Sequence, residues 1–589
     1  MAGLVLAAVV TTGVVLVSAN RRNPAGGLAQ ANPGCTESTV VVVTSPDLSD
    51  VLAALAEEFN AGEPGEGGCA AVAVEGRGSS EMAAALSDGY DEGVYGLRPD
   101  VWIPDSATFV ELVRSSQGGG GLLPAQTGDS IARSPTVVGM PRPLAEAAGW
   151  PGSQLGWADL MDLVQDAGGW AERGHPEWGA FKLGMADPQS SPAGLHALLS
   201  IGAAESGVWT DALSEEGLAD DQVRRTLLAL DRGVAQRSNT VTQQLLALRQ
   251  ADREGQALTF VSALPLSERD VWRYNRGLLN PGLASEGPPQ VPLVALYPPE
   301  GGLAFDYPYQ VLQGADGRAG DFFDFLRRDG AQRRLQEAGF RDAENRPGDV
   351  LAKETEELNP ERAGAAVPPP AGVAVQAALG GWRAVSQEGV TLAVMDVSGS
   401  MEDPVPGTDR RILDVAVQSA VASLELFRPD STVGLWQFST GLPGCPQDGD
   451  WCELVPLGPL GEDLDGSARR DRIVGALQGL QPANDTALYD TILSAYEGVQ
   501  AAYRPDELNS VLLFTDGRSD GDQLTLDALL AALRERQNPS KPVQVVLIAY
   551  GNPDVPALQA ITDLTGGAVF TPSSPDQVAD VFLQALTGQ

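Results

Sequence analysis

The sequence predicts an α/β protein made of two successive α/β domains. Its 589 residues exceed what one hydrophobic core usually supports. Short apolar runs alternate with amphipathic stretches in residues 35–342 and again in residues 385–589, which is typical of sheets covered by helices. Between them, residues 343–384 have little periodic apolar content and include the run Pro368-Pro369-Pro370. This composition predicts a Pro-rich linker.

The charge and the histidine content of the chain exclude several functions. It carries 78 Asp and Glu residues against 39 Lys and Arg residues, a formal net charge of −39. Such a surface repels phosphate backbones, so we expect no nucleic-acid partner. Because His175 and His196 are the only histidines, neither a His-based catalytic triad nor a His-rich zinc site is expected. No G-x-x-x-x-G-K-[ST] loop supports ATP hydrolysis, so we expect a binding protein; a carboxylate hydrolase is the enzymatic alternative.

The N-terminus bears on the compartment in which the protein works. Ala2–Ala19 is uncharged, mostly apolar and just long enough to cross a bilayer core of about 30 Å. Val17-Ser18-Ala19 has the small residues of a cleavage site, so a signal peptide is the alternative. Arg21 and Arg22 follow the apolar run, whereas the positive-inside rule wants such residues before it. We expect residues 1–34 to anchor the chain in the cell membrane with its bulk outside the cell, or to be cleaved from a secreted protein.

The four cysteines fall into two pairs that are close in sequence, Cys35 with Cys69 and Cys445 with Cys452. An even number of cysteines in an exported protein indicates disulfides, and none of these has the C-x-x-C spacing of a metal site. We therefore predict two disulfides, one within each pair. Four buried free thiols, which are common inside cells, are the alternative.

The second α/β domain has the pattern of a doubly wound, mostly parallel sheet. The apolar run Val390–Met395 has the length of a strand, and a helical pattern of apolar residues follows it. Further apolar runs of strand length lie at 433–438, 511–514 and 543–549. Sheets of this kind bind ligands at the carboxyl ends of their strands. Asp396 and Asp516 fall at such ends.

Side chains that carry oxygen are concentrated at these strand ends. Asp396, Ser398 and Ser400 recur at every second residue, so their oxygens can point to one side of an extended turn. Thr486 opens a later helix, and Asp516 closes a strand before a glycine. Oxygen ligands, hydroxyls included, suit a hard cation such as Mg²⁺. The alternative is a helix-capping loop, since Ser and Asp are favoured at such positions.

These five residues resemble, in this order, the metal-ion-dependent adhesion site of the von Willebrand factor type A family. That site reads Asp-x-Ser-x-Ser, then a Thr, then an Asp. The resemblance implies that Ser398, Ser400 and Thr486 hold Mg²⁺ or Mn²⁺ directly, with Asp396 and Asp516 acting largely through water. It also implies that a protein partner supplies an acidic group to the remaining coordination position.

Two runs of strand character in the first domain, Val40–Val43 and Ala70–Val74, are each followed by small polar residues and a helical pattern. This order of elements resembles the two-lobed periplasmic-type solute-binding proteins, particularly the molybdate and sulfate group. The resemblance implies that hydroxyls and backbone N–H groups at helix starts hold an oxyanion or another small solute. The candidate ligands are Thr44, Ser45, Ser79 and Ser80.

The alternative for these four residues is helix capping without any ligand. Glu75, Glu81 and Asp105 lie close to them in sequence and would oppose an anion electrostatically. The sequence therefore leaves open an oxyanion, a neutral or cationic solute, or an empty pocket.

As a whole, the chain is similar to bacterial, actinobacterial-type proteins described as substrate-binding and VWA domain-containing. The resemblance implies a surface-anchored binding or adhesion protein. It would engage a partner through a Mg²⁺-dependent site and bind a small solute in its first domain. The alternative is a structural scaffold of a cell-envelope complex whose first domain binds no ligand. The solute, the partner and any communication between the domains stay open.

Overall fold

The chain is a mixed α/β protein, as the sequence predicts, in a computed structural model whose described residues are 38–61, 70–206, 221–279, 285–353, 356–364, 366–386, 389–405, 408–424, 427–442, 445, 449–505, 507–517 and 519–571.

The first sheet forms what we call lobe 1. Its strands are β1 (Ser38–Thr44), β2 (Ala70–Gly76), β3 (Val101–Ile103) and β10 (Gln310–Val311), in the order β10-β3-β1-β2. Strand β1 runs parallel to β2 and β3, and β10 is antiparallel to β3. Val43 belongs to one core cluster, whereas Val40 and Val42 belong to another. Both faces of β1 are therefore covered, which explains its continuous apolar run.

Two further groups of strands form lobe 2. Its strands are β4 (Ser134–Pro141), β5 (Leu183–Ala186), β6 (Val234–Ser238), β7 (Leu264–Ser267), β8 (Leu293–Leu296) and β9 (Ala304–Phe305). Strand β4 is antiparallel to β7, β8 and β9, and β5 pairs with β6 in parallel. The carboxyl ends of the parallel pair open toward the C-terminal part of the chain.

Helices cover both lobes, and several begin where the sequence offers a cap. Ser106, Thr240 and Ser267 each accept a hydrogen bond from a backbone N–H two or three residues later. The α-helices are Pro46–Ala61, Ser79–Ser87, Glu92–Tyr95, Ala107–Ser115, Arg142–Ala147, Trp157–Gln165, Pro192–Ser206, Asp221–Gly233, Val241–Arg253, Ala257–Phe260, Glu268–Asn275, Ala319–Leu326 and Asp329–Glu337, and the 3₁₀ helices are Gly169–Arg173 and Pro176–Trp178.

The segment predicted to be a linker is folded onto the first domain. It contains the short helices Asp349–Ala352 and Pro360–Arg362 and ends in the helix Gly372–Ser386, which we call the bridging helix. The apolar residues of one helix face are buried: Ala374, Val375, Ala378 and Trp382. Burial of this stripe explains why the bridging helix packs against the first domain. The predicted domain limits themselves stay a prediction.

The bridging helix touches both lobes. At its start, Gly372 lies so close to helix Ala107–Ser115 of lobe 1 that a Cβ atom there would be 2.0 Å from the carbonyl oxygen of Glu111. Near its end, the ring of Trp382 lies 5.8 Å from the guanidinium carbon of Arg237 in lobe 2. One helix therefore connects lobe 1, lobe 2 and the C-terminal sheet, which begins three residues later.

The C-terminal part is built on a six-stranded sheet in the order β13-β12-β11-β16-β17-β18. Its strands are β11 (Gly389–Asp396), β12 (Thr432–Phe438), β13 (Trp451–Pro459), β16 (Leu508–Thr515), β17 (Gln544–Ala549) and β18 (Val569–Phe570), while β14 (Asp463–Leu464) pairs with β15 (Ser467–Ala468). All neighbours are parallel except β12 and β13. Counted along the chain, this is the order 3-2-1-4-5-6, which confirms the predicted doubly wound sheet.

Helices cover both faces of this sheet. Met395 and Val394 are neighbours on β11, yet they belong to different core clusters. The helices are Ile412–Leu424, Arg469–Gln478, Leu488–Ala501, Leu526–Arg536 and Val555–Thr565, with a 3₁₀ helix at Gly399–Glu402. The order of strands reverses between β11 and β16, and at such a point the loops diverge and leave a crevice at the carboxyl edge.

The prediction of a membrane-spanning helix is corrected. Among the residues described above, no helix is long and apolar enough to cross a membrane. The prediction rested on Ala2–Ala19, and the whole of residues 1–34 lies outside the described residues.

Candidate functional site

The crevice at the carboxyl edge of the C-terminal sheet begins at Asp396, the last residue of β11. Its Oδ1 accepts a hydrogen bond of 2.8 Å from the backbone N–H of Ser398. The turn that this bond closes brings the hydroxyl oxygens of Ser398 and Ser400 to 3.1 Å from each other. The first three predicted ligands therefore lie side by side, as their spacing in the sequence indicates.

The end of β16 completes the environment of Asp396. The hydroxyl of Thr515, the last residue of β16, donates a hydrogen bond of 2.6 Å to Asp396 Oδ2. Burial raises the pKa of Asp396 to about 7, hydrogen bonds from Ser398 and Thr515 oppose this rise, and the nearby charge of Asp516 adds to it. Asp396 and Asp516 are thus two buried carboxyl groups close enough to repel each other.

A backbone turn at 484–486 positions Thr486. Asn484 has a φ of 59°, a left-handed conformation that Asn tolerates better than most residues. Its carbonyl accepts a hydrogen bond of 2.8 Å from the N–H of Gly399, in the middle of the Asp-x-Ser-x-Ser turn. Thr486 is held from the other side, because its N–H donates to Asp520 Oδ1 at 2.9 Å. These bonds fix Thr486 next to the turn that carries the first three predicted ligands.

The hydroxyl oxygen of Thr486 bears most directly on whether the site fits a metal. Its Oγ1 is buried, and within the described part of the chain it has no hydrogen-bond partner. A buried hydroxyl without a partner is costly, so such atoms call for an explanation. Coordination of a cation would explain it, since hydroxyl and carboxylate oxygens are the donor set that Mg²⁺ prefers.

The described residues contain no group of three or more His, Cys, Asp or Glu side chains arranged around a metal position. The predicted set differs in composition from such a group, because hydroxyls outnumber carboxylates in it. Such a set would offer a hard cation oxygen donors but few negative charges.

Sequence reasoning missed three residues that shape the site: Thr515, Asn484 and Asp520. Asp522 also contributes, because its Oδ1 accepts hydrogen bonds from the N–H groups of Tyr489 and Asp490 at 2.7 and 3.1 Å, at the start of helix Leu488–Ala501. Asp is favoured at helix starts, so capping by Asp520 and Asp522 was detectable in principle. The helix that they cap, Leu488–Ala501, lies far from them in sequence, so the sequence does not show which helix is capped.

Cys445 and Cys452, predicted to pair, form a disulfide with their Cα atoms 5.4 Å apart. Cys452 lies near the start of β13 and is paired with Gln437 near the end of β12, so the disulfide lies at the same carboxyl edge as Asp396. Asp450 accepts a hydrogen bond of 3.1 Å from the N–H of Gly441. The other predicted pair, Cys35 with Cys69, lies outside the described residues.

The four predicted solute ligands lie at the carboxyl ends of β1 and β2, but most of their hydroxyls already have protein partners. Thr44 donates to the carbonyl of Ile103 at 3.1 Å, and Ser45 donates to Asp47 Oδ1 at 2.6 Å. The hydroxyl oxygen of Ser79 accepts from the N–H of Asp105 at 3.0 Å.

Ser80 is the exception among the four. Its hydroxyl lies 3.5 Å from the carbonyl of Ser190, across the cleft in lobe 2. The four residues therefore share one edge of lobe 1, and Ser80 alone reaches the opposite lobe.

Carboxyl groups dominate this edge of lobe 1. Burial raises the pKa of Asp105 to about 8, and the neighbouring charge of Asp47 contributes. Burial likewise raises the pKa of Asp306 to about 6. Oδ1 of Asp105 is buried without a hydrogen-bond partner in the described structure, while the hydroxyl of Tyr307 donates to Asp47. Such surroundings disfavour an oxyanion.

The two histidines have structural surroundings. His196 is buried, with Nε2 at 2.8 Å from the Ser106 hydroxyl of lobe 1 and Nδ1 at 2.8 Å from the Thr136 hydroxyl of lobe 2. Burial lowers its pKa to about 3, so the ring is neutral and links the lobes by hydrogen bonds. His175 stacks on Trp178 with ring centroids 3.7 Å apart.

Comparison with known proteins places the chain among related sequences and folds. Two uncharacterized proteins of Mycobacterium tuberculosis, from strains CDC 1551 / Oshkosh and ATCC 25618 / H37Rv, are each 25% identical to it over an alignment of 555 residues that covers 92% of this chain and 75% of theirs.

Two solved structures are similar to the chain over part of its length. The sulfate-binding protein SubI from Mycobacterium tuberculosis H37Rv is 17% identical, with 57% of this chain and 93% of that chain covered and a TM-score of 0.35. A von Willebrand factor type A structure from Catenulispora acidiphila is 19% identical, with 34% of this chain and 42% of that chain covered and a TM-score of 0.27.

The profile of one protein family matches a long part of the chain. It is described as bacterial extracellular solute-binding protein and matches residues 40–341, more than half of the sequence. The matched residues coincide with the two lobes and their cleft. The chain therefore belongs to the family of bacterial extracellular solute-binding proteins.

Proposed function

We propose that this protein works outside the cell as a binding protein with two tasks. Its first domain takes up a small solute between the lobes. Its C-terminal part, which resembles a von Willebrand factor type A domain, holds Mg²⁺ or Mn²⁺ and engages a protein partner through an acidic group. The observation that carries the metal proposal is the buried hydroxyl of Thr486, which has no hydrogen-bond partner among the described residues.

The electrostatics of the crevice support a divalent cation. Asp396 and Asp516 are buried at the carboxyl ends of adjacent parallel strands and repel each other. Two such groups are expensive to keep ionised without a compensating charge. A dication removes this cost, and the adjacent hydroxyls of Ser398 and Ser400 provide neutral ligands. A metal with so few anionic ligands keeps a net positive charge, which attracts a carboxylate from a partner.

Titration calorimetry of the full chain with Mg²⁺ and with Mn²⁺ tests the metal site. We expect saturable binding to the wild type and none to Asp396→Ala or Asp516→Ala. Asp471→Ala, which removes an exposed carboxylate from helix Arg469–Gln478, is the control and should bind like the wild type. Equal metal binding by wild type and Asp396→Ala would refute the metal site.

The alternative function is a scaffold whose first domain holds no solute. It is favoured by the hydroxyls of Ser45 and Ser79, which are already bonded to Asp47 and to the Asp105 backbone. Thermal melting of the full chain with a panel of inorganic anions and small metabolites separates the two functions. A dose-dependent rise of the melting temperature with one compound supports solute binding, whereas no rise with any compound supports the scaffold.

A further inference from the structure

A cavity of about 910 Å³ lies where lobe 2 meets the C-terminal part of the chain. Lobe 2 lines it with Asp187–Gln189 after β5 and with Arg237–Asn239 around the end of β6. The C-terminal part contributes Arg428, shortly before β12, and Glu507, directly before β16. Small-molecule sites occur preferentially between domains and outside the carboxyl ends of parallel strands. This cavity meets both conditions.

Three arginine side chains from three elements meet at the cavity: Arg237 of β6, Arg383 of the bridging helix and Arg428. Two of them are neutralised and held in place. Arg237 Nη2 lies 2.7 Å from Asp231 Oδ1, and Arg428 Nη2 lies 2.6 Å from Asp430 Oδ2. Their charges are therefore balanced before any ligand enters.

The third arginine has only an uncharged partner. Arg383 Nε and Nη2 lie 3.1 and 3.0 Å from Gln189 Oε1, and Arg383 forms no ion pair within the described residues. A guanidinium group binds a carboxylate with two parallel, charge-assisted hydrogen bonds, which are stronger than bonds to an amide. Arg383 is thus poised to exchange Gln189 for a carboxylate.

An uncompensated carboxylate lies on the other side of Gln189. Asp187 Oδ1 accepts a hydrogen bond of 3.0 Å from the N–H of Gln189, and no cation pairs with Asp187 in the described part of the chain. One cation and one anion, Arg383 and Asp187, therefore line the same cavity, separated by a single residue that binds both. Trp382 and Met185 provide apolar wall beside them.

We propose that this cavity is a second ligand site, shared by the two domains, for a small zwitterion such as a free amino acid. The ligand's carboxylate binds Arg383, its ammonium group binds Asp187, and its side chain packs against Trp382 and Met185. A simple anion fits less well, because Asp187 lines the cavity without a paired cation in the described residues and the other two arginines are neutralised. Since both domains line the cavity, its ligand stabilises their junction.

Calorimetric titration of the full chain with the common L-amino acids, one at a time, tests the proposal. We expect at least one to bind saturably. Its N-acetyl derivative and its methyl ester each lose one charge and should bind about tenfold more weakly or worse. Arg383→Ala and Asp187→Asn should weaken binding by a similar factor. Arg362→Ala, at an exposed arginine outside the cavity, is the control.

Several results would overturn this site. One is that no amino acid binds, and another is that affinity is unchanged in both Arg383→Ala and Asp187→Asn while circular dichroism shows them folded. Loss of binding in Ser80→Ala, with binding retained in Arg383→Ala, would put the ligand in the cleft between the lobes instead. Retained binding in Asp516→Ala is expected, which keeps this test independent of the metal site.

Discussion

Thr515 and Asp396 end two adjacent parallel strands, and the Thr515 hydroxyl donates a hydrogen bond of 2.6 Å to Asp396 Oδ2. The same hydroxyl oxygen accepts a hydrogen bond of 3.0 Å from the N–H of Gly517. Both side chains are fully buried. One threonine therefore orients the central carboxylate of the crevice and the loop that carries Asp516.

Replacement of this threonine tests the relationship. Thr515→Val keeps the shape but removes both hydrogen bonds, so the free energy of unfolding should fall by about 1–3 kcal/mol, and Mg²⁺ affinity should fall with it. Urea unfolding and calorimetry measure the two effects. Thr391→Val is the matched control: Thr391 is buried on the neighbouring strand and bonds Ser510 Oγ at 3.0 Å, so stability should fall while Mg²⁺ affinity stays.

Thr486 should behave in the opposite way. Its hydroxyl has no partner among the described residues, so Thr486→Val should leave the free energy of unfolding without metal unchanged or slightly raised. Metal affinity should fall, and Thr486→Ser should restore it. The control is Thr491→Val, which removes a buried hydroxyl bonded to the Ala487 carbonyl. This variant should lower the free energy of unfolding and leave the metal affinity unchanged. Unchanged Mg²⁺ binding in Thr486→Val would argue against direct coordination.

Stability should depend on pH through Asp105. In the folded protein, the carboxyl group of Asp105 keeps its proton up to about pH 8. In the unfolded chain, the same group releases its proton at about pH 3.9. Folding therefore takes up a proton between these values, and this group's contribution to stability falls as pH rises through that window. Asp105→Asn cannot ionise, so its stability relative to wild type should increase from pH 5 to pH 8, by on the order of a few kcal/mol. Urea unfolding at both pH values measures it; a constant difference would contradict the prediction.

The bridging helix offers a pair of matched glycines. A Cβ atom at Gly372 would lie 2.0 Å from the Glu111 carbonyl oxygen, whereas one at Gly380 would meet nothing within 4 Å. Gly372→Ala should therefore detach the helix from lobe 1 and lower the melting temperature. Gly380→Ala should raise the free energy of unfolding by about 0.5–1 kcal/mol, because Ala favours the helix. If both variants melt alike, the helix does not hold lobe 1 in solution.

The disulfide should contribute modestly, because it closes a short loop of sequence separation 7. Loop entropy predicts a loss of about 2–3 kcal/mol in Cys445→Ala/Cys452→Ala, which thermal unfolding under non-reducing conditions measures. Reducing agent should then shift the wild type further than the variant. An equal shift would show that this bond contributes nothing to stability.

The C-terminal crevice could be read from the sequence because its signals are local. Asp396, Ser398 and Ser400 follow directly from a strand whose apolar run marks its own end, and parallel strands present their carboxyl ends at one edge. Asp516 likewise follows directly from the apolar run of β16. Partners such as Thr515, bonded to Asp396 across 119 residues, could not be assigned, because no periodicity shows which strands become neighbours.

The first domain shows the limit of such reasoning. The sequence by itself determined that Thr44, Ser45, Ser79 and Ser80 lie at strand ends and helix starts. Only the tertiary structure decided which hydroxyls are occupied, because their partners are set by the packing of the lobes. Tyr307, which bonds Asp47, lies 260 residues away from it.

The segment before the C-terminal sheet shows the same difference between what the sequence predicts and what the tertiary structure decides. Its prolines and scattered charges predict a linker, and these are properties of the segment alone. Its packing as the bridging helix depends on contacts with Glu111 of lobe 1 and Arg237 of lobe 2, which lie beside it only after the chain has folded. Local composition determines strand ends, turns and ligand types. Burial depends on surfaces that distant segments build together, so the tertiary structure alone decided it.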